Sequence, residues 1–173
     1  LIVSHNAPLE VAIAGSVTAA FHLSGQICTS AERFFVHEAV HDAFVSGLVE
    51  GARQLRIGHG LERSEIGPLV SEGAREKVIR LVESAAAAGA TIETGGRIPP
   101  DHPVGGFYEP TVLTGVTPEM AIFREEVFGP VASICKVASL DDAIRLANDA
   151  EFGLGASLFT TDLAEAMRFT EEV

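Results

Sequence analysis

Two kinds of hydrophobic pattern alternate along the chain, and each predicts a different element. Short apolar runs, several of them rich in β-branched and aromatic residues, are typical of buried strands. Longer stretches with apolar residues three or four positions apart are typical of helices that bury one face. The short runs predict strands at 1–3, 33–36, 90–94, 108–113, 131–137 and 156–159. The longer stretches predict helices at 8–24, 38–55, 71–88, 140–148 and 163–173.

Local signals at the ends of these segments agree with the predicted helices. Ser71 and Ser139 each stand where a hydroxyl can accept a hydrogen bond from the first turn of a helix. Gly89 stands where the third helix is expected to stop, since glycine readily adopts the left-handed conformation that ends many helices. Strands that alternate with helices predict an α/β fold, with a mostly parallel sheet and helices on both faces.

The composition of the chain narrows the classes of protein to which it can belong. Its 173 residues are enough for one domain with a core, and 47% hydrophobic against 21% charged residues is a globular composition. The net charge of −12 argues against a nucleic-acid partner, which requires clustered positive charge. No apolar run approaches the roughly 20 residues that cross a bilayer, and no signal peptide is visible, so we expect no membrane partner.

The chain has two cysteines, Cys28 and Cys135, which are too few for a disulfide framework. We interpret both as free thiols in a reducing, cytoplasmic compartment. Cys28 belongs to the small-residue segment G-Q-I-C-T-S at 25–30, which follows the first predicted helix. Small neighbours leave room for a substrate, and nearby amides can stabilise an oxyanion, as a nucleophilic thiol requires. The alternative is that Cys28 is a buried cysteine acting as a small hydrophobic residue.

A second candidate site is the sequence H-E-A-V-H at 37–41, which matches the H-E-x-x-H motif of zinc hydrolases. In that motif His37 and His41 bind zinc and Glu38 acts as general base. A remote glutamate such as Glu62 would have to supply a further ligand. The context favours another interpretation, because His37 directly follows a predicted strand and therefore stands at a helix start. His41 falls on the apolar face of that helix, so we expect it to be a partly buried structural residue.

A third candidate is the sequence R-E-E-V-F-G-P-V at 124–131, which leads into a predicted strand. A carboxylate at a sheet edge can bind ribose hydroxyls, and an aromatic side chain can line the pocket of a ring. The alternative is a loop whose acidic side chains are simply solvated. Neither a G-x-G-x-x-G segment between strand and helix nor a G-x-x-x-x-G-K-[ST] segment occurs, so no self-contained nucleotide site is visible.

Taken together, five segments in order resemble the aldehyde dehydrogenase superfamily, and the resemblance covers nearly the whole chain. The catalytic-cysteine segment of that family, G-Q-x-C with an arginine five residues later, is matched at 25–33, where Cys28 is the cysteine. The E-x-F-G-P-V signature is matched at 126–131. Further similar segments lie at 67–70, 107–113 and 147–162. The H-E-x-x-H match then loses its support, since relatives often have a strand end and a helix start at that place.

The resemblance implies an activity, a mechanism and roles for three residues. A domain of this kind oxidises an aldehyde to a carboxylic acid with NAD or NADP. Cys28 is implied to attack the carbonyl, hydride then passes to the nicotinamide, and a glutamate-activated water hydrolyses the thioester. Glu126 is implied to hold the nicotinamide ribose, and Phe128 to line the nicotinamide site. The partner is a small-molecule aldehyde, no metal is implied, and a homo-oligomer is expected for the full-length protein.

The same resemblance implies that residues 1–173 are the cysteine-bearing catalytic domain, incomplete at both ends. In relatives the general-base glutamate, the oxyanion-hole asparagine and the coenzyme-binding domain lie upstream, and a closing segment lies downstream. Loss of one catalytic group commonly raises the barrier by several kcal/mol, so we expect negligible turnover from residues 1–173 alone. The alternatives are a non-catalytic folded fragment, a thiol that is acylated without release, and the zinc hydrolase.

Overall fold

A six-stranded sheet lies at the centre of the computed structural model, which describes residues 1–173. The strands are β1 (Ile2–Val3), β2 (Arg33–His37), β3 (Thr91–Thr94), β4 (Thr111–Thr114), β5 (Val131–Val137) and β6 (Leu158–Phe159). The helices are α1 (Leu9–Phe21), α2 (Glu38–Gln54), α3 (Glu72–Ala87), α4 (Ala121–Arg124), α5 (Leu140–Asn148) and α6 (Leu163–Glu172). A 3₁₀ segment, His22–Gly25, directly follows α1.

The strands are arranged across the sheet in the order β3-β4-β5-β2-β1-β6. All neighbouring pairs are parallel except β3 and β4, which are antiparallel at one edge. In the register of the central pair, Phe35 of β2 lies opposite Cys135 of β5. Parallel neighbours need crossover connections, which explains why helices separate the strands along the chain. The prediction of an α/β fold with a mostly parallel sheet is confirmed.

Successive residues of the central strands point to opposite faces of the sheet, and each face buries its own core. Phe34 and Val36 of β2 belong to a core that includes Phe21 of α1 and Phe44 of α2. Phe35, which stands between them, belongs to a second core that includes buried residues of α3, α4 and α5. Helices therefore cover both faces, as the alternating pattern predicts.

The structure confirms the local signals predicted at both ends of α3 and at the start of α5. The hydroxyl of Ser71 accepts a hydrogen bond from the N–H of Ala74 at 3.1 Å. The hydroxyl of Ser139 accepts one from the N–H of Asp142, also at 3.1 Å. Gly89 follows α3 with a φ of 108°, a conformation that favours glycine. These local signals therefore describe both ends of α3 and the start of α5 correctly.

One helix and two strands differ from the predicted bounds by two or three residues, and the strand predicted at 156–159 begins only at Leu158. The helix predicted at 8–24 ends at Phe21, because the next residues turn into the 3₁₀ segment. The strand predicted at 108–113 begins only at Thr111. Tyr108 is buried without belonging to a strand, so its apolar character misled the prediction.

The hydrophobic pattern does not predict α4. This helix has four residues, which is too short for a helical period to be visible in the sequence. Its side chains Ile122 and Phe123 are nevertheless buried against the sheet. None of the helices combines the length and the apolar content that crossing a membrane would require.

Candidate active site

Cys28 lies in the loop between the 3₁₀ segment and β2, residues 26–32, which we call the cysteine turn. The N–H of Ser30 donates to the carbonyl oxygen of Ile27 at 2.9 Å and closes this turn. Cys28 is exposed at its tip. The interpretation of Cys28 as a buried hydrophobic residue is therefore wrong, and it describes the buried Cys135 instead.

The backbone that leads into the cysteine turn is left-handed at three successive residues. Leu23, Ser24 and Gly25 have φ values of 49°, 59° and 68°. At Gly25 an added Cβ would lie 2.1 Å from the carbonyl oxygen of Gly129, so any other residue would displace the backbone. Gly129 belongs to residues 126–131, the E-V-F-G-P-V sequence that we call the signature segment. Gly25 thus places the start of the cysteine turn directly against the signature segment.

Glu32 attaches the other end of the cysteine turn to the same segment. Its two carboxylate oxygens accept hydrogen bonds from the backbone N–H groups of Val127, at 2.8 Å, and Phe128, at 2.7 Å. Burial raises the pKa of Glu32 above its ordinary value, while the two N–H donors oppose that shift. The turn that carries Cys28 is therefore held against the signature segment at both ends, by the close approach of Gly25 to Gly129 and by the side chain of Glu32.

A third segment, residues 67–70, packs against the start of the cysteine turn. The hydroxyl of Ser24 donates to the carbonyl oxygen of Gly67 at 2.9 Å. The side chain of Gln26 accepts from the N–H of Val70 at 2.8 Å and donates to the carbonyl oxygen of Pro68 at 3.4 Å. These contacts give Ser24 and Gln26 a structural role before the cysteine, and they attach the G-P-L-V segment at 67–70 to the cysteine turn.

Glu126 and Phe128 are presented to solvent by the signature segment. Phe128 has a φ of 52°, which is rare for a phenylalanine, and is 36% exposed. Glu126 is exposed and borders an open cleft of about 630 Å³. The amine of Lys77 in α3 donates to the backbone carbonyl of Glu126 at 2.6 Å and also borders this cleft. Cys28 and Phe128 both lie outside the lining of the cleft, and the contacts of Gly25 and Glu32 connect the cysteine turn to the signature segment.

The far wall of the cleft is formed by an ion pair and the end of α5. Arg124 donates to both carboxylate oxygens of Asp149, at 2.7 and 2.9 Å. These hydrogen bonds hold the pKa of Asp149 below its ordinary value. The paired charges leave Glu126 as a separate exposed carboxylate of the signature segment, next to Lys77.

Arg33, the arginine five residues after Cys28, points away from the cysteine turn and into the packing of the domain. Its guanidinium donates to the carbonyl oxygens of Leu146, Ala147 and Asp149 at 3.1 to 3.4 Å, at the end of α5. It also lies 5.0 Å from the ring centroid of Phe123. Burial lowers the pKa of Arg33. This arginine therefore fixes β2 to α5 and neutralises exposed carbonyls at a helix C-terminus.

The H-E-x-x-H sequence is engaged in helix packing. His37 accepts a hydrogen bond from the N–H of Ala39 at 3.1 Å and so caps α2. His41 is buried, and its Nδ1 lies 2.7 Å from the carboxylate of Asp42. No group of three or more histidine, cysteine, aspartate or glutamate side chains is placed to hold a metal ion. The structure therefore offers the zinc hypothesis no support, and His41 is buried on the packed face of α2, where the sequence places it.

Two residues of the site have no counterpart among the sequence predictions. Glu32 accepts hydrogen bonds from residues 95 and 96 positions further along the chain. Sequence spacing does not predict contacts between residues so far apart. Lys77 lies on an amphipathic helix, where a lysine on the polar face is ordinary. A glutamate next to a buried strand was the only local signal for Glu32, and nothing in the sequence pattern distinguishes Lys77.

Comparison with known proteins agrees with this arrangement of segments. The model of the aldehyde dehydrogenase family matches residues 1–173. An NADP-dependent succinate-semialdehyde dehydrogenase of Mycolicibacterium paratuberculosis is 44% identical over 173 residues, which cover 99% of this chain and 36% of that protein. The crystal structure of succinate-semialdehyde dehydrogenase from Burkholderia pseudomallei matches with a TM-score of 0.96 and 41% identity, over 100% of this chain and 36% of that one.

A third similar protein is a betaine aldehyde dehydrogenase from Staphylococcus aureus, solved in complex with NAD⁺. It matches with a TM-score of 0.95 and 33% identity, over 99% of this chain and 35% of that one. The chain thus spans about a third of the length of the relatives it matches. Because the family model covers every residue from 1 to 173, the chain belongs to the aldehyde dehydrogenase family.

Proposed function

We propose that the protein oxidises a small aldehyde to a carboxylic acid with NAD or NADP, and that Cys28 is its nucleophile. The observation that carries this proposal is the position of Cys28. It is exposed at the tip of a turn whose two ends are attached to the segment bearing Glu126 and Phe128. The similarity to succinate-semialdehyde and betaine aldehyde dehydrogenases supports the reaction class.

Cys28 performs the first chemical step as a thiolate. Its sulfur forms a bond to the aldehyde carbon, and the carbonyl oxygen takes the electron pair of the broken π bond to become an oxyanion. Backbone N–H groups near an irregular turn can stabilise such a charge, since they need no reorganisation during the reaction. The small residues around Cys28 leave the carbonyl carbon room to approach the sulfur.

The residues of the signature segment fit a nicotinamide coenzyme. When bound, NAD or NADP supplies the acceptor for the hydride that leaves the carbon attached to Cys28. The exposed carboxylate of Glu126 can accept hydrogen bonds from the hydroxyls of a ribose, and the ring of Phe128 offers an apolar surface beside it. We propose these two residues as contacts of the nicotinamide ribose and of the nicotinamide site.

Water must finally cleave the thioester on Cys28 and regenerate the thiol. The family resemblance assigns the base for that step to a glutamate outside residues 1–173. We therefore propose that these residues are the cysteine-bearing part of the catalytic domain and have negligible turnover alone. We further propose that the full-length protein is a cytoplasmic homo-oligomer; the free thiols of Cys28 and Cys135 are in keeping with a reducing compartment.

A pair of cysteine variants in the full-length protein tests the nucleophile. We expect Cys28→Ser to reduce aldehyde-dependent NAD(P)H formation at least about 1,000-fold, as loss of a nucleophile commonly does. Cys135→Ala serves as the matched control and should retain turnover close to that of the wild type. Full activity of Cys28→Ser, with circular dichroism showing both variants folded, would remove Cys28 from the mechanism.

A further inference from the structure

We infer that Glu32 is a positioning residue for the coenzyme side of this site, because its carboxylate fixes the backbone of Val127 and Phe128. This inference rests on the proposed function and deepens it. Glu32 makes no hydrogen bond to Cys28 or to the carboxylate of Glu126, and it bonds only the backbone of Phe128, so it acts through the signature segment. Its predicted effect is on coenzyme affinity, which separates it from the role of Cys28.

Both carboxylate oxygens of Glu32 accept hydrogen bonds from the backbone of the signature segment. Oε2 accepts from the N–H of Val127 at 2.8 Å, and Oε1 accepts from the N–H of Phe128 at 2.7 Å. Its own carbonyl oxygen accepts from the N–H of Ser133 in β5 at 2.9 Å. The backbone of Glu32 is thus anchored to the sheet, and its side chain transmits that fixed position to the signature segment.

The conformation of Phe128 needs such an anchor. Its φ of 52° lies in the left-handed region, which a residue with a Cβ adopts only when surrounding contacts hold it there. Val127 is buried on one side and Gly129 is in contact with Gly25 on the other. The Glu32 carboxylate bonds the N–H groups of the two residues that precede Gly129. Those two bonds fix the backbone that presents the Phe128 ring to solvent and that carries Glu126, two residues earlier, at the cleft.

The groups around the Glu32 carboxylate act on its charge in both directions. Burial raises the pKa of Glu32, and the nearby charge of Glu126 acts in the same direction. The two N–H donors and the charge of Lys77 oppose the shift and favour the ionised form. A glutamine of the same shape would accept from only one of the two N–H groups, because its amide nitrogen is a donor.

The test compares Glu32→Gln with Glu109→Gln in the full-length protein. Glu109 is a suitable control, because its side chain is also largely buried and hydrogen-bonded, to Arg97 at 2.9 Å, in a different part of the fold. For Glu32→Gln we expect the KM of the coenzyme to rise about tenfold, the effect of losing one charged hydrogen bond. The KM of the aldehyde should change less than about twofold, because the start of the cysteine turn remains held at Gly25 and through the side chain of Gln26. Glu109→Gln should leave both constants unchanged.

A rise in the coenzyme KM without a rise in the aldehyde KM distinguishes loss of positioning from damage to the fold. A misfolded fraction lowers apparent kcat and leaves KM unchanged, so a higher coenzyme KM reports the site itself. If Glu32→Gln does not fold, Glu32→Asp keeps the charge with a shorter side chain, and it too should raise the coenzyme KM. An unchanged coenzyme KM in the folded variant would overturn the role of Glu32.

The same series distinguishes failure of this inference from failure of the proposed function. An active wild type, an inactive Cys28→Ser and an unaffected Glu32→Gln would reject only the positioning role. A Cys28→Ser variant with full activity would reject the proposed function instead. A double variant, Glu32→Gln with Phe128→Gly, provides a further check, because glycine adopts the left-handed φ without help. We expect the two changes to raise the coenzyme KM by less than the product of their separate effects, and strict multiplicativity would contradict the inference.

Discussion

The two cysteines of this protein occupy opposite environments, although their side chains are identical. Cys28 is exposed at the tip of an irregular turn, whereas Cys135 lies in the middle of β5 and is 3% exposed. Burial raises the pKa of Cys135 to about 12, which leaves it a neutral thiol under ordinary conditions. Cys135 therefore packs as a small hydrophobic residue, and only Cys28 is placed to react.

The backbone around each cysteine explains how the chain produces this contrast. Cys135 belongs to a regular strand, which alternates its side chains between two buried faces. Cys28 follows three left-handed residues and is held by contacts at Gly25 and Glu32. Regular structure buries a thiol without special residues, whereas exposing one at a fixed position requires an irregular backbone and contacts that hold it.

The largest expected difference is in alkylation of the two thiols. With iodoacetamide at about pH 8, we expect Cys28 to react at least about 1,000 times faster than Cys135, because Cys135 is buried and only about one thiol in 10⁴ is ionised. Peptide mass spectrometry over a time course measures both rates. In concentrated urea the two rates should converge, which controls for intrinsic reactivity. Comparable rates in the folded protein would contradict the contrast.

The second prediction concerns a variant that disrupts the close approach of Gly25 to Gly129, which holds the start of the cysteine turn. Gly25→Ala would place a Cβ 2.1 Å from the Gly129 carbonyl, at a residue whose φ is 68°. We expect aldehyde oxidation by the full-length protein to fall at least about 100-fold, as displacement of a reacting group by about 1 Å can cause. Gly60→Ala is the control, since nothing lies within 4 Å of its added Cβ. Equal activity of the two variants would show that the contact between Gly25 and Gly129 is not needed to position Cys28.

The sequence predicts regular regions of this fold better than the region around Cys28. The bounds of β5 and α5 agree with prediction to the residue, because a continuous apolar run and a local Ser139 cap specify them. The motif search finds the positions of Cys28, Glu126 and Phe128, but their roles remain predictions. The hydrogen bonds of Glu32 could not be predicted from motifs or periodicity, because Val127 and Phe128 come close to Glu32 only when the chain folds.

The third prediction concerns the cost of a polar atom at the buried cysteine. Cys135→Ser places a hydroxyl in a core beside Phe35 and Val137. We expect a loss of about 2 kcal/mol in the free energy of unfolding, the usual penalty for an unsatisfied buried hydroxyl. Cys28→Ser, at an exposed position, should change that free energy by less than about 0.5 kcal/mol. Urea unfolding of both variants measures the difference, and equal stabilities would argue against the burial of Cys135.

The smallest expected effect is an alkaline pH dependence of stability that arises from Cys135. Burial raises its pKa from 9.0 to about 12 in the folded chain, although the charge of Arg33 opposes that shift. Between these values the unfolded chain releases the Cys135 proton and the folded chain retains it. The unfolded state then binds fewer protons, so stability falls as the pH rises. From about pH 8 to about pH 10 we expect the wild type to lose about 1 kcal/mol more than Cys135→Ala. Urea unfolding at each pH measures this difference. Suppose that the unfolding free energies of the wild type and of Cys135→Ala changed equally with pH. Burial would then not suppress the ionisation of Cys135, and the two cysteines would differ only in their accessibility to reagents.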